Sequence, residues 1–353
     1  MKGLDFGRYT LTICAAAAVL SGCGALRQAQ DDTPPIVARG AVHSATAGPN
    51  LYVANYSYGG QSTVTVYAPD SEQVLRTISR GLSAAYSLAF DGSGNLFVGN
   101  LSDSDPNVRV YARGGGSVKR TIDRGVRDPE TLAFDSSGNL YVANFCCENR
   151  ITVYAPGSRK PLTTISQGVN LPPALAFDGS GNLFVPNLGN NTVTIYAPGR
   201  TKPSRTISQG VKTPDALAFD AFGNLYVANG NNTVTVYAPG SGTVLQTISQ
   251  SVYSPGALAF DRSGNLFVAD FYRNAVTVYA PGSGKLIRTI THGVNTPAAL
   301  VFDGSGNLYV ANCGLHCGGL GKGTVTVYSP GAETLVRTIS LDVNQPHALA
   351  FGP

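Results

Sequence analysis

From Asn50 onward the hydrophobic and polar positions fall into short runs that recur along the chain. The unit running from Pro214 to Ile248 shows the pattern most cleanly. Pro214-Asp215-Ala216-Leu217-Ala218-Phe219-Asp220 reads as a first strand, and Ala221-Phe222-Gly223 as a tight turn. Asn224 to Asn229 (NLYVAN) is a second strand, Gly230 to Asn232 a second turn, and Thr233 to Tyr237 (TVTVY) a third strand. A Pro/Gly turn, Ala238 to Gly242 (APGSG), precedes a fourth strand, Val244 to Ile248 (VLQTI). Each run has strand length, β-branched or aromatic enrichment, and turn residues at both ends. Within ALAF the small Ala residues and the larger Leu and Phe point to opposite faces. The fourth run carries Thr with Arg76, Arg120, Arg205, Arg288 and Arg337 in its copies, as expected of an outer edge exposed to water.

The second-strand motif GNL-Y/F-V recurs with its Asn at positions 50, 95, 139, 182, 224, 265 and 307, with Pro49 in place of Gly in the first copy. A period near 42 residues with four strand-like segments predicts a β-propeller. The ends of the repeat predict how the ring closes. No ALAF precedes Asn50, and no NLYV follows Ala348-Leu349-Ala350-Phe351. The C-terminal strand 348–351 is therefore expected innermost in the N-terminal blade, completing seven four-stranded blades over residues 49–353. The fold class is all-β. The unit LYVAN…NTVTVYAPG…RTI…P-x-ALAFD closely resembles NHL and YVTN-type repeat propellers over residues 50–351. The resemblance implies the fold and leaves function open, because such propellers host binding modules and enzymes alike.

Composition agrees. Gly numbers 42 of 353 residues, charged residues are 13%, and 43% hydrophobic residues argue against disorder. A net charge of +4 is too small a surplus for a nucleic-acid footprint. At the N-terminus Lys2 and Arg8 precede an apolar stretch, Thr10 to Leu20, too short to span a bilayer. Residues 1–22 read as a signal peptide. Leu20-Ser21-Gly22-Cys23 resembles the bacterial lipobox. That resemblance implies cleavage before Cys23, acylation of its thiol, and attachment to a lipid bilayer at the cell envelope. Gly24 in place of Asp would favour the outer membrane in a Gram-negative cell. Residues 24–48 show no periodicity and read as a flexible tether with a reach of about 25–30 Å. With lipidated Cys23 they form the segment 23–48, and the expected product is a monomer.

Candidate chemistry is sought where the repeat breaks. Turns between first and second strands, and between third and fourth, are short and uniform, so that face reads as scaffold. Turns between second and third strands, and the links between blades, vary and share the opposite face, where function is expected. Residues present in every unit belong to the fold. Asp91, Asp135, Asp178, Asp220, Asp261 and Asp303 are expected to cap Gly-rich turns. Asn55, Asn100, Asn144, Asn187, Asn229, Asp270 and Asn312 are expected to bond turn backbone.

Just before the inner strands, near the axis, stand Tyr86, Glu130, Pro173, Asp215, Gly256, Ala298 and His347. Glu130, Asp215 and His347 with Tyr86 could hold one divalent metal, Ca or Mg, or do acid–base work. Resemblance to gluconolactonase-like hydrolases and the streptogramin lyase extends this to a metal-assisted hydrolase or lyase. The competing assignment is a solvated channel rim. Tyr56, Tyr58, Phe145, Phe271 and Tyr272 follow second strands. They are candidate contacts for a protein, peptide or glycan, unless they fold back over the core.

Of the six cysteines, Cys14 leaves with the signal and Cys23 takes lipid. Cys146, Cys147, Cys313 and Cys317 are disulfide candidates in an exported protein. A zinc site from Cys313, His316 and Cys317 is the alternative. Asp103 and Asp105 could touch calcium or simply form an acidic turn. No nucleophile-elbow, zincin, phosphate-loop or EF-hand motif is present. Two functions remain: a non-catalytic, membrane-anchored binding or assembly module, and the metal-assisted enzyme.

Overall fold

A computed structural model describes residues 49–57, 61–102, 104–145, 148–314, 322–331 and 334–353. The candidate positions Cys23, Tyr58, Asp103, Cys146, Cys147, His316 and Cys317 lie outside the described residues. The described chain forms seven four-stranded antiparallel sheets arranged as the blades of a propeller. In the fifth blade the strands run Pro214–Phe219, Leu225–Asn229, Thr233–Tyr237 and Val244–Ile248 from the axis outward. In the first blade the order is Pro346–Gly352, Asn50–Asn55, Thr63–Tyr67, Val74–Ile78. The C-terminal strand thus fills the innermost place, with Leu51 opposite Phe351 and Val53 opposite Leu349. No helix among the described residues is long and apolar enough to cross a membrane.

Second and third strands are buried almost throughout because neighbouring blades cover both of their faces. The same edge-to-face aromatic pair recurs at every interface between blades. Tyr52–Phe90, Phe97–Phe134, Tyr141–Phe177, Phe184–Phe219, Tyr226–Phe260 and Phe267–Phe302 have ring centroids 4.9–5.1 Å apart. Tyr309–Phe351, at 5.1 Å, closes the circle. A Tyr at the end of each third strand adds a polar rivet. Tyr237 donates its hydroxyl proton to the Gln209 carbonyl (2.6 Å) and Tyr279 donates to Gln250 (2.6 Å), both in the link before the blade.

The repeated acids and amides do what the pattern predicts. Asp220 Oδ1 accepts the N–H groups of Phe222 and Asn224, and its Oδ2 accepts from the Asn224 amide. Asn229 is fully buried. Its Oδ1 accepts the Lys212 N–H, and its Nδ2 donates to the Val227 carbonyl and Thr235 Oγ1. The same corner recurs with Asn100, Asn144, Asn187 and Asn312, and with Asn55 bonded to Asn344 N–H across the closure.

Asp270 is the exception in this corner set. It accepts from Tyr253 N–H and from Thr277 Oγ1, and burial pushes its carboxyl up to about 6 from 3.8. The fold therefore favours the protonated form. Between about pH 4 and pH 6 the unfolded chain binds fewer protons, so stability falls as pH rises through that window and stays lower above it. Asp270→Asn should remove this fall and stabilise the protein by about 1–3 kcal/mol at pH 8, with little gain at pH 4. Denaturant midpoints at the two pH values measure it. Equal gains at both would contradict the assignment.

One expectation is corrected. The outer-strand arginines are half-buried rather than water-exposed. Arg76 donates to the Tyr52 hydroxyl and to the Gly114 carbonyl of the next blade, while Leu75 is the exposed residue beside it. A long side chain can lay its stem along the neighbouring blade and still place its head on a polar partner. The inner strand of the fourth blade is also shorter than its copies, at Ala176–Phe177. Pro172 and Pro173 remove ladder N–H groups where the other copies begin pairing.

Candidate functional site

The non-repeating residues are placed by a backbone device in the innermost strands. In the fifth blade the register passes from Pro214–Asn229 to Ala216–Ala228, so Asp215 has no partner across the ladder. This is a β-bulge, which re-aims the extra side chain. The same skip occurs at Tyr86, Glu130, Gly256, Ala298 and His347. A residue in the left-handed region followed by Pro leads into most of these bulges. Asp128, Leu171, Thr213, Ser254, Thr296 and Gln345 have φ between 42° and 51°, each just before a Pro. Non-Gly residues in this region are costly and persist where surrounding bonds hold them. Here the N–H after the second strand donates to the strained residue's carbonyl, as from Phe145 to Asp128, Gly230 to Thr213, Phe271 to Ser254 and Tyr56 to Gln345. These bonds also set the second-to-third-strand turns and the inter-blade links on one face, as expected.

Around the axis the ring reads His347, Tyr86, Glu130, Pro173, Asp215, Gly256, Ala298 in blade order. It is not a solvated rim. Exposure is 7% for His347, 9% for Tyr86, 4% for Glu130 and 7% for Asp215. The His347 and Tyr86 rings lie 4.8 Å apart, and Tyr56 stacks 5.0 Å from His347 and 6.0 Å from Tyr86. Cys313 Sγ lies 3.9 Å from His347 Nε2.

Burial shifts the ionisation of the ring residues toward their uncharged forms. It raises the Glu130 carboxyl well above its ordinary value, opposed by a hydrogen bond with Tyr86 and reinforced by Asp215 and Asp128. It raises Asp215 likewise. It lowers His347 to about 4, leaving the imidazole neutral near pH 7. Asp215 Oδ1 is buried with no hydrogen-bond partner.

This geometry does not fit a metal centre. Among the described residues no three His, Cys, Asp or Glu side chains converge to hold an ion. Glu130 is engaged by Tyr86, His347 Nε2 faces Cys313, and the Pro173 blade separates Glu130 from Asp215. Asp105 instead pairs with Arg109 at 2.8 Å.

The aromatic candidates divide. Phe271 turns inward, packing with Ala298 and Cys313 under the ring, because Phe271–Arg273 forms a single 3-10 turn. It is therefore not a surface contact. Tyr272 is exposed, and Tyr56 and Phe145 are half-buried. The bulge was missed in the sequence, although a signal was present: the ring residue follows Pro in five of the seven units, and again at Pro172-Pro173 if both prolines are counted. Comparison with protein-family models and with curated proteins returned no match.

Proposed function

We propose that this protein is a non-catalytic binding module of the NHL/YVTN-type propeller kind, held at the cell envelope by acylated Cys23 and the tether 23–48. It captures a protein or peptide on the face that carries the variable turns. The supporting observation is that bulges at the same place in six blades set the non-repeating ring positions at one end of the axis, over a scaffold of repeated Asn corners and Asp turns. Tyr86 is buried and Tyr56 half-buried, and the two are packed edge-to-face against each other, so they offer no flat open ring of the kind a sugar stacks on. A disulfide between Cys313 and Cys317, with Cys146 and Cys147 as a second candidate pair, would staple the turns of that face.

The test compares three full-length proteins. Tyr56→Ala combined with Tyr272→Ala should lose partner capture from envelope extracts while keeping its melting temperature within a few degrees. Phe222→Ser, on the opposite face and 82% exposed, should capture as the wild type does. Loss in the second variant and not the first would reverse the assignment of faces. Cys23→Ser should move the protein from the membrane to the soluble fraction. An unchanged membrane fraction would remove the anchor from the proposal.

A further inference from the structure

The short turns of the scaffold face differ in charge around the ring. In the second, third and fourth blades the turns between third and fourth strands, with the strand starts beside them, carry Arg113, Lys119, Arg159, Lys160, Arg200 and Lys202 and no acid. All six are exposed, and among the described residues none forms an ion pair. Lys119 Nζ donates to the neutral Asn95 side-chain oxygen (3.1 Å). The acids on that side, Asp91, Asp135 and Asp178, already accept from their own turns on both oxygens. The Arg159 charge is felt across the blade boundary by Arg120, whose guanidinium is pushed down first by burial and then by Arg159. Like charges gathered on one surface favour an anionic counterpart. A second feature shares this face. The N–H that bonds the turn Asp comes from Ser93, Ser137, Ser180, Ser263 and Ser305 in the other copies and from Phe222 in the fifth blade. Phe222 is 82% exposed, so the ring that replaces this Ser projects from the face. A soluble polyanion engages cations and has no use for a projecting ring. An anionic bilayer takes both, cations at its headgroups and an aromatic ring in its interfacial layer. The chain also enters here. Asn50 pairs with Gly352 at the end of the closing strand, and Pro353 lies with Arg113 against Gly94. Residues before Pro49 therefore join the propeller on this face, beside the cations.

We propose that the scaffold face of the second to fifth blades docks on an anionic lipid bilayer, with the six cations at the headgroups and the Phe222 ring in the interfacial layer. This rests on the envelope anchor proposed at Cys23 and gives that anchor an orientation. Surface charges act within about 8 Å at physiological salt, so the tether, with its reach of about 25–30 Å, supplies proximity and the face supplies the contact. The variable face then points away from the bilayer, open to a partner.

The experiment is co-sedimentation of an unacylated chain beginning at Gly24, which keeps every strand of the closed ring, with phosphatidylcholine vesicles holding about 30% phosphatidylglycerol. Pure phosphatidylcholine vesicles are the uncharged match. Binding to the anionic vesicles is expected, weaker by about tenfold or more on the uncharged ones and lost in about 0.5 M salt. Arg159→Glu with Lys160→Glu, and Arg200→Glu with Lys202→Glu, should each weaken it by about tenfold or more. Phe222→Ser should weaken it by about fivefold or more. Arg124→Glu with Arg127→Glu makes the same charge change on the opposite face and should bind as the unmodified chain does. The proposal is overturned if the anionic vesicles are not bound, if the uncharged ones bind equally, or if the opposite-face variant loses as much as the others. Unchanged binding in either charge variant overturns it too. Unchanged binding in Phe222→Ser assigns the face to soluble polyanions and overturns the lipid assignment. Melting curves verify that each variant is folded. Vesicle binding that fails while Cys23→Ser releases the full-length protein removes this inference only. Vesicle binding that persists while Cys23→Ser stays on membranes after a wash in about 0.5 M salt removes the anchor and leaves the docking face.

Discussion

Ending the chain at Gln345 is expected to unfold the propeller or to lower its melting temperature by more than about 15 °C. The truncation removes the strand Pro346–Gly352, which pairs with Asn50–Asn55 over nearly its full length. It uncovers Val53 and Tyr52 in the first blade, and deletes Leu349 and Ala348 from two separate core clusters. It also deletes Phe351, the partner of Tyr309 in the last inter-blade pair, and the Pro353 carbonyl that accepts from the Tyr52 hydroxyl. Burying a Leu or Phe is worth about 1.5–3 kcal/mol each, and each lost ladder hydrogen bond about 1 kcal/mol. Together these match much of the 5–15 kcal/mol that typically holds a domain folded. The exposed edge of Asn50–Asn55 would also invite pairing between molecules. Circular dichroism melts with size-exclusion profiles measure both effects. A truncated chain that melts where the intact one does would show that the ring does not depend on its closing strand.

Asn229→Ala is expected to destabilise the protein by about 2–4 kcal/mol, the largest effect of any single polar truncation considered. Asn229 is at 0% exposure and its amide joins three parts of the structure. It accepts from the Lys212 N–H of the preceding link, donates to the Val227 carbonyl of its own strand, and donates to Thr235 of the next strand. Ala leaves the Lys212 N–H of the partly buried link without its acceptor and opens a small void, while Thr235 Oγ1 keeps the Tyr237 hydroxyl. Each buried orphan costs about 1–3 kcal/mol. The link from Lys212 to Pro214 also carries Thr213 at φ 42°, so a weaker corner loosens the strained lead-in to Asp215. Equilibrium denaturation measures the loss. A change below about 1 kcal/mol would mean that the corner is satisfied by solvent.

Much of this was legible in the sequence because propellers repeat. The Asp220 turn and the Asn229 corner are local hydrogen-bonding devices, set by residues a few positions apart or by one neighbouring link, and their recurrence reveals them. The closure was legible from arithmetic on strands: a surplus at one end matched a deficit at the other. Phe271 was not legible. Its direction depends on one 3-10 turn that drops it onto Ala298 of the following blade and Cys313, a contact made across a blade boundary. Arg76 was misread for a related reason. Its partners, the Tyr52 hydroxyl and the Gly114 carbonyl, belong to another strand of its blade and to the next blade.

By itself the sequence determined the number of blades, the order of strands within each, and the exchange between termini, because strand period and turn chemistry are properties of contiguous residues. Only the tertiary structure decided the state of the axial ring. Tyr86, Glu130, Asp215 and His347 are far apart in the chain. Their burial, the shift that burial imposes on their ionisation, and the unmet acceptor of Asp215 exist only because bulges in separate blades turn them toward one axis. Desolvation is a property of the assembled ring, and no segment carries it alone.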